Sequence, residues 1–325
     1  MGGKMKKIIF SIMAVFIFLL TGCKVKDNSD PMKQALSNLD SLSSYELSCE
    51  MTIYRSNKDV HMDINVMYLN PGYYRVSFKN TGNEQIIVKN DEGVFVLTPA
   101  LNKEFKFDSE WPMNSSHAYL IDCINKIIKA DSDAKYVTDG DEVTISAKLN
   151  DSNDRAKKLI FVYNTKTKMP VKATFVDEND KNVVFVSFKK FNENKDITKD
   201  KFNTQLIMEE KINETENTSG EEKTLAVVVG YSVDGVKLTS TKIKNNTTVL
   251  CYSGSKNYTI VVKKIGDFED VTIDMISSVD FIDYGIITTN SSVSKFYIEN
   301  NEISIYGSNL TNEEIITIAS EITMS

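Results

Sequence analysis

From Tyr45 the chain alternates with a period of two. Tyr45, Leu47, Cys49, Met51 and Ile53 are set between Glu46, Ser48, Glu50, Thr52 and Tyr54. The next run repeats this with Val60, Met62, Ile64, Val66 and Tyr68 against His61, Asp63 and Asn65, and Tyr74, Val76 and Phe78 continue it after Pro71-Gly72. Such alternation predicts antiparallel strands with one apolar face. Further strands are expected at Gln85 to Lys89, Gly93 to Thr98 and Lys103 to Phe107, with Asp91-Glu92-Gly93 as a hairpin turn. Beyond residue 130, strands are expected at Ala134 to Val137, Val143 to Leu149, Leu159 to Asn164, Val171 to Asp177 and Val183 to Phe191. Two stretches change to helical spacing. Asp30-Pro31 supplies an N-cap and a first-turn proline ahead of Met32, Ala35, Leu36, Leu39 and Leu42. After a break at Trp111 to Ser116, Leu120, Ile124, Ile127 and Ile128 form a second stripe. Residues 30–207 therefore read as one meandering sheet flanked by helices.

Residues 208–223 are charged, lack apolar periodicity and read as a solvated linker. A second unit follows over 224–325, with strands expected at Thr224 to Val229, Val236 to Thr241, Thr247 to Ser253, Tyr258 to Lys264, Phe296 to Glu299 and Ile303 to Tyr306. Its closing helix carries explicit start signals. Thr311-Asn312-Glu313-Glu314 fits a capping box, and Leu310 and Ile315 are spaced for a hydrophobic staple. Ile315, Ile318, Ala319 and Ile322 supply a buried stripe, so this unit is expected to be small and α+β.

The first 22 residues have a different character. Lys4, Lys6 and Lys7 precede an apolar run of 13 residues from Ile8 to Leu20, the layout of a secretory signal. The run is short of the roughly 20 residues that span a bilayer. Leu20-Thr21-Gly22-Cys23 resembles the lipobox of bacterial lipoproteins. That resemblance implies cleavage between Gly22 and Cys23, a diacylglyceryl group on the Cys23 thiol, and a short tether over 23–29. Two acyl chains give stable retention where one binds only marginally. The expected location is the extracytoplasmic face of the cell membrane.

Removal of residues 1–22 takes away three lysines and no acid, lowering the net charge from −7 to −10. So acidic a chain is repelled by phosphate backbones, which argues against nucleic acid as a partner. Cys49, Cys123 and Cys251 remain after Cys23, an odd number that does not read as a disulfide framework, although a Cys49–Cys123 pair is left open. No C-x-x-C or His/Cys cluster suggests a metal, and no cofactor is implied. With only His61 and His117, and without G-x-S-x-G, Walker or G-x-G-x-x-G patterns, the sequence offers no catalytic residues, and an enzyme is not expected. Asp139, Asp141, Glu142, Asp177, Glu178 and Asp180 fall in turns, where short polar side chains are common.

The stronger signal is a shape. Leu47, Met51, Ile53, Met62, Ile64, Val66, Tyr74, Val76 and Phe78 share one sheet face that must curl around something apolar, either the chain's own helices or a ligand in a hydrophobic cavity. Asn70 to Phe78 (NPGYYRVSF), Glu84 to Phe107 and the later hairpin Met169 to Phe191 resemble the LolA/LolB-like lipoprotein-carrier superfamily. The resemblance implies an α+β fold, a half-barrel of antiparallel strands closed by helices, with a cavity. Asn70 stands where the soluble carriers commonly place a latching arginine, and an anchored chain cannot shuttle, so lipoprotein transport is not the expected role. The segment from Thr224 onward is similar to a C-terminal domain that follows such modules in spore-forming Firmicutes, the GerS-like germination lipoproteins. That branch implies a non-enzymatic protein with an envelope partner such as a cortex-modifying cell-wall amidase. A lipid or acyl-chain ligand and an envelope-stress sensor acting on an anti-sigma factor are the alternatives, and exposed strand edges also suit a homodimer.

Overall fold

The computed structural model describes residues 30–324, except 56–57, 80–83, 108–117, 151–154, 194, 216–226, 230–232, 266–272, 277, 283 and 292. Helix α1 (Pro31–Asp40) starts as the sequence predicts: Asp30 Oδ1 accepts from the Met32 amide at 3.0 Å, and Pro31 occupies the first turn. Six strands then run up and down in chain order: β1 (Ser44–Ile53), β2 (Val60–Leu69), β3 (Tyr73–Lys79), β4 (Gln85–Asn90), β5 (Gly93–Thr98) and β6 (Lys103–Phe107). After helix α2 (Ile121–Ala130) a second meander follows: β7 (Lys135–Asp139), β8 (Glu142–Lys148), β9 (Lys158–Asn164), β10 (Met169–Val176) and β11 (Asn182–Glu193). Antiparallel pairing of β11 with β1 joins the two meanders into one sheet. The sheet is open, with β7 at one end. The fold is therefore α+β and built on an open antiparallel sheet, as the LolA-like resemblance implied.

Alternation decides which face is buried. On one face Cys49, Ile64, Val76, Ile145, Phe161 and Val186 are 3% exposed or less and pack with Ala35 and Leu39 of α1 and Ile124 and Ile128 of α2. Each large apolar side chain so buried contributes about 1.5–3 kcal/mol. On the opposite face, a 3-10 turn at Lys199–Phe202 and helix α3 (Thr204–Thr215) cover β3 to β5, with Met67 and Leu69 at the end of β2 packed against the same cluster. There Phe202, Ile207 and Met208 bury Tyr73, Ile86, Val88, Phe95 and Leu97. Helix α3 occupies the start of the stretch read from sequence as a solvated linker.

The later strands are β12 (Val227–Val229), β13 (Val236–Lys244), β14 (Thr247–Gly254), β15 (Tyr258–Lys264), β16 (Ile273–Ile276), β17 (Ser278–Ile282), β18 (Gly285–Asn290), β19 (Val293–Ile298), β20 (Asn301–Tyr306) and β21 (Ile322–Met324). Strands β16, β17, β18 and β21 are absent from the sequence expectations, and Ile322, expected on the closing helix, opens β21 instead. β16 pairs in parallel with β6, so the later half extends the first sheet. A second sheet, in the order β13-β14-β15-β20-β19-β18-β17, packs one face on helix α4 (Asn312–Ser320). The predicted capping box is present: the Glu314 amide donates to Thr311 Oγ1 at 3.2 Å, and the Thr311 amide donates to Glu314 Oε2 at 2.7 Å. Leu310 and Ile315, the expected staple, both pack against this second core.

The β10–β11 turn shows why its acids are structural. Asp177 Oδ1 accepts from the Lys181 amide at 2.9 Å and from the Asn179 amide at 2.8 Å. These bonds, the Lys181 amide foremost, hold the carboxyl below its ordinary value. A depressed folded pKa stabilises the fold fully above the unfolded aspartate value of about 3.9, and that contribution is lost as pH falls through the folded value. Asp177→Asn is expected to flatten the acid limb of the thermal-midpoint profile below about pH 5, with no change above it. An acid limb unchanged from wild type would assign it to other carboxylates.

Candidate functional site

The nine residues that sequence marked as lining a cavity come from β1, β2 and β3 and do lie together. Leu47, Met51, Ile53, Met62, Ile64, Val66, Tyr74, Val76 and Phe78 are each 8% exposed or less and belong to a single cluster. Helices α1 and α2 pack on that cluster, as do Phe281, Ile286 and Tyr297 from the later half. Phe281 meets Phe78 with ring centroids 5.0 Å apart, and Tyr297 meets Phe105 at 6.2 Å. Tyr45 stacks on Tyr68, which meets Tyr74 at a tilt, with ring centroids 4.9 Å apart at each step. Tyr74 donates to Asp122 Oδ2 at 2.7 Å, which ties the first turn of α2 to the sheet. Burial, followed by the Asp122 charge, pushes the Tyr68 hydroxyl up to about 12. Cys49 and Cys123 are buried free thiols in the same core; burial raises the Cys49 thiol, which makes it a packing group and not a nucleophile.

The other face of the same strands is polar and stays open over β1, β11 and the part of β2 before Met67. A groove of about 530 Å³ lies there, lined by Glu46, Ser48, Asn65, Met67, Arg75, Ser77, Lys190, Asn192, Lys201 and Glu210. A neighbouring trough of about 470 Å³ lies along Glu50, Thr52, His61, Asp63 and Lys79. Charges alternate through both. Arg75 Nη1 is 3.5 Å from Glu210 Oε2, Lys195 Nζ is 3.9 Å from Glu46 Oε2, and Lys189 Nζ is 2.9 Å from Glu50 Oε2. The Arg75 side chain is 11% exposed, so its charge is held in place, whereas Lys190 and Lys201 at the rim are exposed. His61 Nδ1 lies 3.0 Å from Thr52 Oγ1 across the strand pair, in water, as its polar-side position predicted. This arrangement suits docking of a charged polypeptide surface more than bond-making, because Arg75, Lys189 and Lys195 are each matched to a carboxylate while Lys190 and Lys201 stand exposed at the rim.

Sequence reasoning missed the groove. Glu46, Ser48 and Asn65 read as ordinary solvent positions, and the only hint was the length of the polar alternation over 45–78. Gly22, Cys23 and His117 lie outside the described residues. Among the described residues there is no group of three or more His, Cys, Asp or Glu side chains that could hold a metal, and no helix long and apolar enough to cross a membrane.

A family model described as "Sporulation protein YdcC-like" matches residues 4–202, more than half of the chain. The chain belongs to that family. A YdcC-like relative, the sporulation protein YdcC of Bacillus subtilis (strain 168), is 28% identical over 256 residues, covering 76% of each chain. Among solved structures, the MucA/MucB complex of Pseudomonas aeruginosa aligns with a TM-score of 0.33 and 11% identity, over 91% of this chain and 98% of the other. A LolA superfamily protein from Nitrosomonas europaea aligns with a TM-score of 0.32 and 10% identity, over 54% of this chain and 98% of the other. The YdcC-like family match covers the first sheet through β11 and stops at Phe202, ahead of α3 and the second sheet.

Proposed function

We propose that this YdcC-like sporulation protein is a non-catalytic envelope lipoprotein, held at the extracytoplasmic face of the membrane by a diacylglyceryl group on Cys23, that binds a protein partner. A cortex-modifying amidase is the partner class in view. The observation that carries this reading is the uncovered polar face. A groove with alternating fixed charges opens beside Arg75 and Glu210, while the apolar face of the same strands is packed against the chain's own helices and Phe281. That packing favours a protein partner over an acyl chain as the occupant. Charges placed this way select a complementary surface and speed encounter.

The test is one crosslinking experiment with two arms. Wild-type protein in membranes is crosslinked and isolated, and its partner is counted beside Lys190→Glu/Lys201→Glu and Cys23→Ala. Reversal of the two exposed rim lysines is expected to lower partner recovery about tenfold or more with an unchanged thermal midpoint. Cys23→Ala is expected to release the protein from the membrane fraction. A wild-type protein that runs as a lone monomer after crosslinking, or hydrolase activity in the purified chain, defeats the reading.

A further inference from the structure

The second sheet has a face whose two ends differ. Cross-strand register places three rows on the face turned away from α4. One row is Lys244, Thr247, Lys263, Glu302 and Tyr297; the next is Lys242, Val249, Val261, Ser304 and Lys295; the third is Ser240, Cys251, Thr259, Tyr306 and Val293. At the β17–β19 end this face is closed, since Phe281, Ile286 and Tyr297 pack into the core of the first sheet. Over β13 to β15 it is open: Lys242, Lys244 and Lys263 are exposed, Val249 and Val261 are half-buried, and Tyr306 is 44% exposed.

The charge there runs against the rest of the chain. Val236 to Lys264 holds six lysines and no acidic residue, in a protein with a net charge of −7. The geometry gathers several of them at one end of the sheet. Asn245, at φ +51, turns β13 into β14, and the carbonyl of Asn246 accepts from the Lys264 amide at 2.8 Å, which sets the Lys242–Lys244 tip beside Lys263–Lys264.

We propose that this face, Lys242, Lys244 and Lys263 around Val249, Val261 and Tyr306, is a docking surface for an anionic lipid bilayer. The chemistry fits that occupant on three counts. Lysine stems lie along apolar surface while their ammonium groups reach phosphate, a flat patch of valines meets the headgroup boundary, and a tyrosine ring suits the membrane–water interface. The electrostatics also choose an orientation. An anionic leaflet repels the acidic bulk and attracts the β13–β15 face, whose strands from Val236 to Lys264 carry lysines without acids, so contact turns that face down. The contact needs neither Cys23 nor the partner proposed above.

The test uses residues 24–325, which hold every described element and lack the anchor cysteine. The protein is co-sedimented with phosphatidylglycerol/phosphatidylcholine vesicles, with phosphatidylcholine vesicles, and with the mixed vesicles in the presence of polyglutamate. Binding to the mixed vesicles is expected to exceed that to the neutral ones and to weaken with salt. Each of Lys242→Ala and Lys244→Ala is expected to weaken it about fivefold, the partitioning that roughly 1 kcal/mol per lysine supplies. Tyr306→Ser is expected to weaken it several-fold with no change in salt dependence. All three positions are exposed, so the variants should keep the wild-type thermal midpoint. Equal binding to neutral vesicles overturns the proposal, as do lysine variants that bind like wild type. Displacement from mixed vesicles by polyglutamate with Tyr306→Ser silent also overturns it, because that outcome assigns the face to an acidic polypeptide.

Discussion

Phe281→Ala is expected to destabilise the whole protein by about 3–5 kcal/mol, the usual range for removing a buried phenylalanine. Phe281 is 1% exposed and stands at the join of the two sheets, with its ring 5.0 Å from that of Phe78. Removing it therefore opens a cavity between β3 and β17 and not within either unit. The expected result is a lower denaturant midpoint that is the same when followed by tyrosine fluorescence and by far-UV circular dichroism. Phe78→Ala should cost a similar amount, and the double variant should cost less than the sum of the two by about 0.5–1.5 kcal/mol, since the ring pair is lost once. A Phe281→Ala protein that loses the second sheet's signal first, with the first sheet's transition unmoved, would show that the join carries no shared stability. The Arg55–Asp280 ion pair at 3.0 Å sits at the same join. With the Asp280 side chain 41% exposed, that pair adds little stability beside the ring contact.

The contrast between what the sequence reveals and what it hides follows from the same packing. Strands β1 and β2 were legible because each buries one face and turns polar side chains out on the other, so Cys49 and Ile64 alternate with Glu50 and Asn65; β3 keeps the alternation of Val76 with Arg75 although its second face is covered. Helix α4 was legible because Thr311 and Glu314 satisfy its first amides locally. Strands β17 and β18 were not legible because both of their faces are buried, in different cores. Phe281 and Ile286 belong to the first cluster and their neighbours Ile282 and Ile287 to the second, so the apolar residues come in adjacent pairs and the period of two disappears. Helix α3 was hidden for the opposite reason. Among its described side chains the buried apolar ones are Ile207 and Met208, next to Leu206 at 49% exposure, and two adjacent residues make no helical stripe to read. The pattern put the nine apolar residues on one face, but whether that face meets helices or a ligand depends on where α1, α2 and Phe281 come to rest. The groove depends on where α3 ends, which no local pattern states.

Gly285→Ala is expected to be as damaging as the loss of a large core side chain, although it adds a single methyl group. Gly285 opens β18 at φ +119, a region closed to side chains, and a Cβ there would overlap Gln85 Oε1. Gln85 is 3% exposed on β4 and acts as a short stand-in for a strand edge. Its Oε1 accepts from the Ile286 amide, and its Nε2 donates to the Ile286 carbonyl at 3.5 Å and to Thr98 Oγ1 at 3.4 Å. The methyl group therefore forces two losses together: backbone strain of about 1–3 kcal/mol, and a displaced amide that leaves the buried Ile286 N–H unmatched at about 1–3 kcal/mol more. The two terms separate experimentally. Gln85→Ala alone forfeits the hydrogen bonds without strain, and in its background Gly285→Ala should add only the strain, so the pair should be sub-additive by roughly the hydrogen-bond term. Full additivity in urea melts would mean that Gly285 is required by its backbone angle alone and that the close approach of Gln85 is incidental.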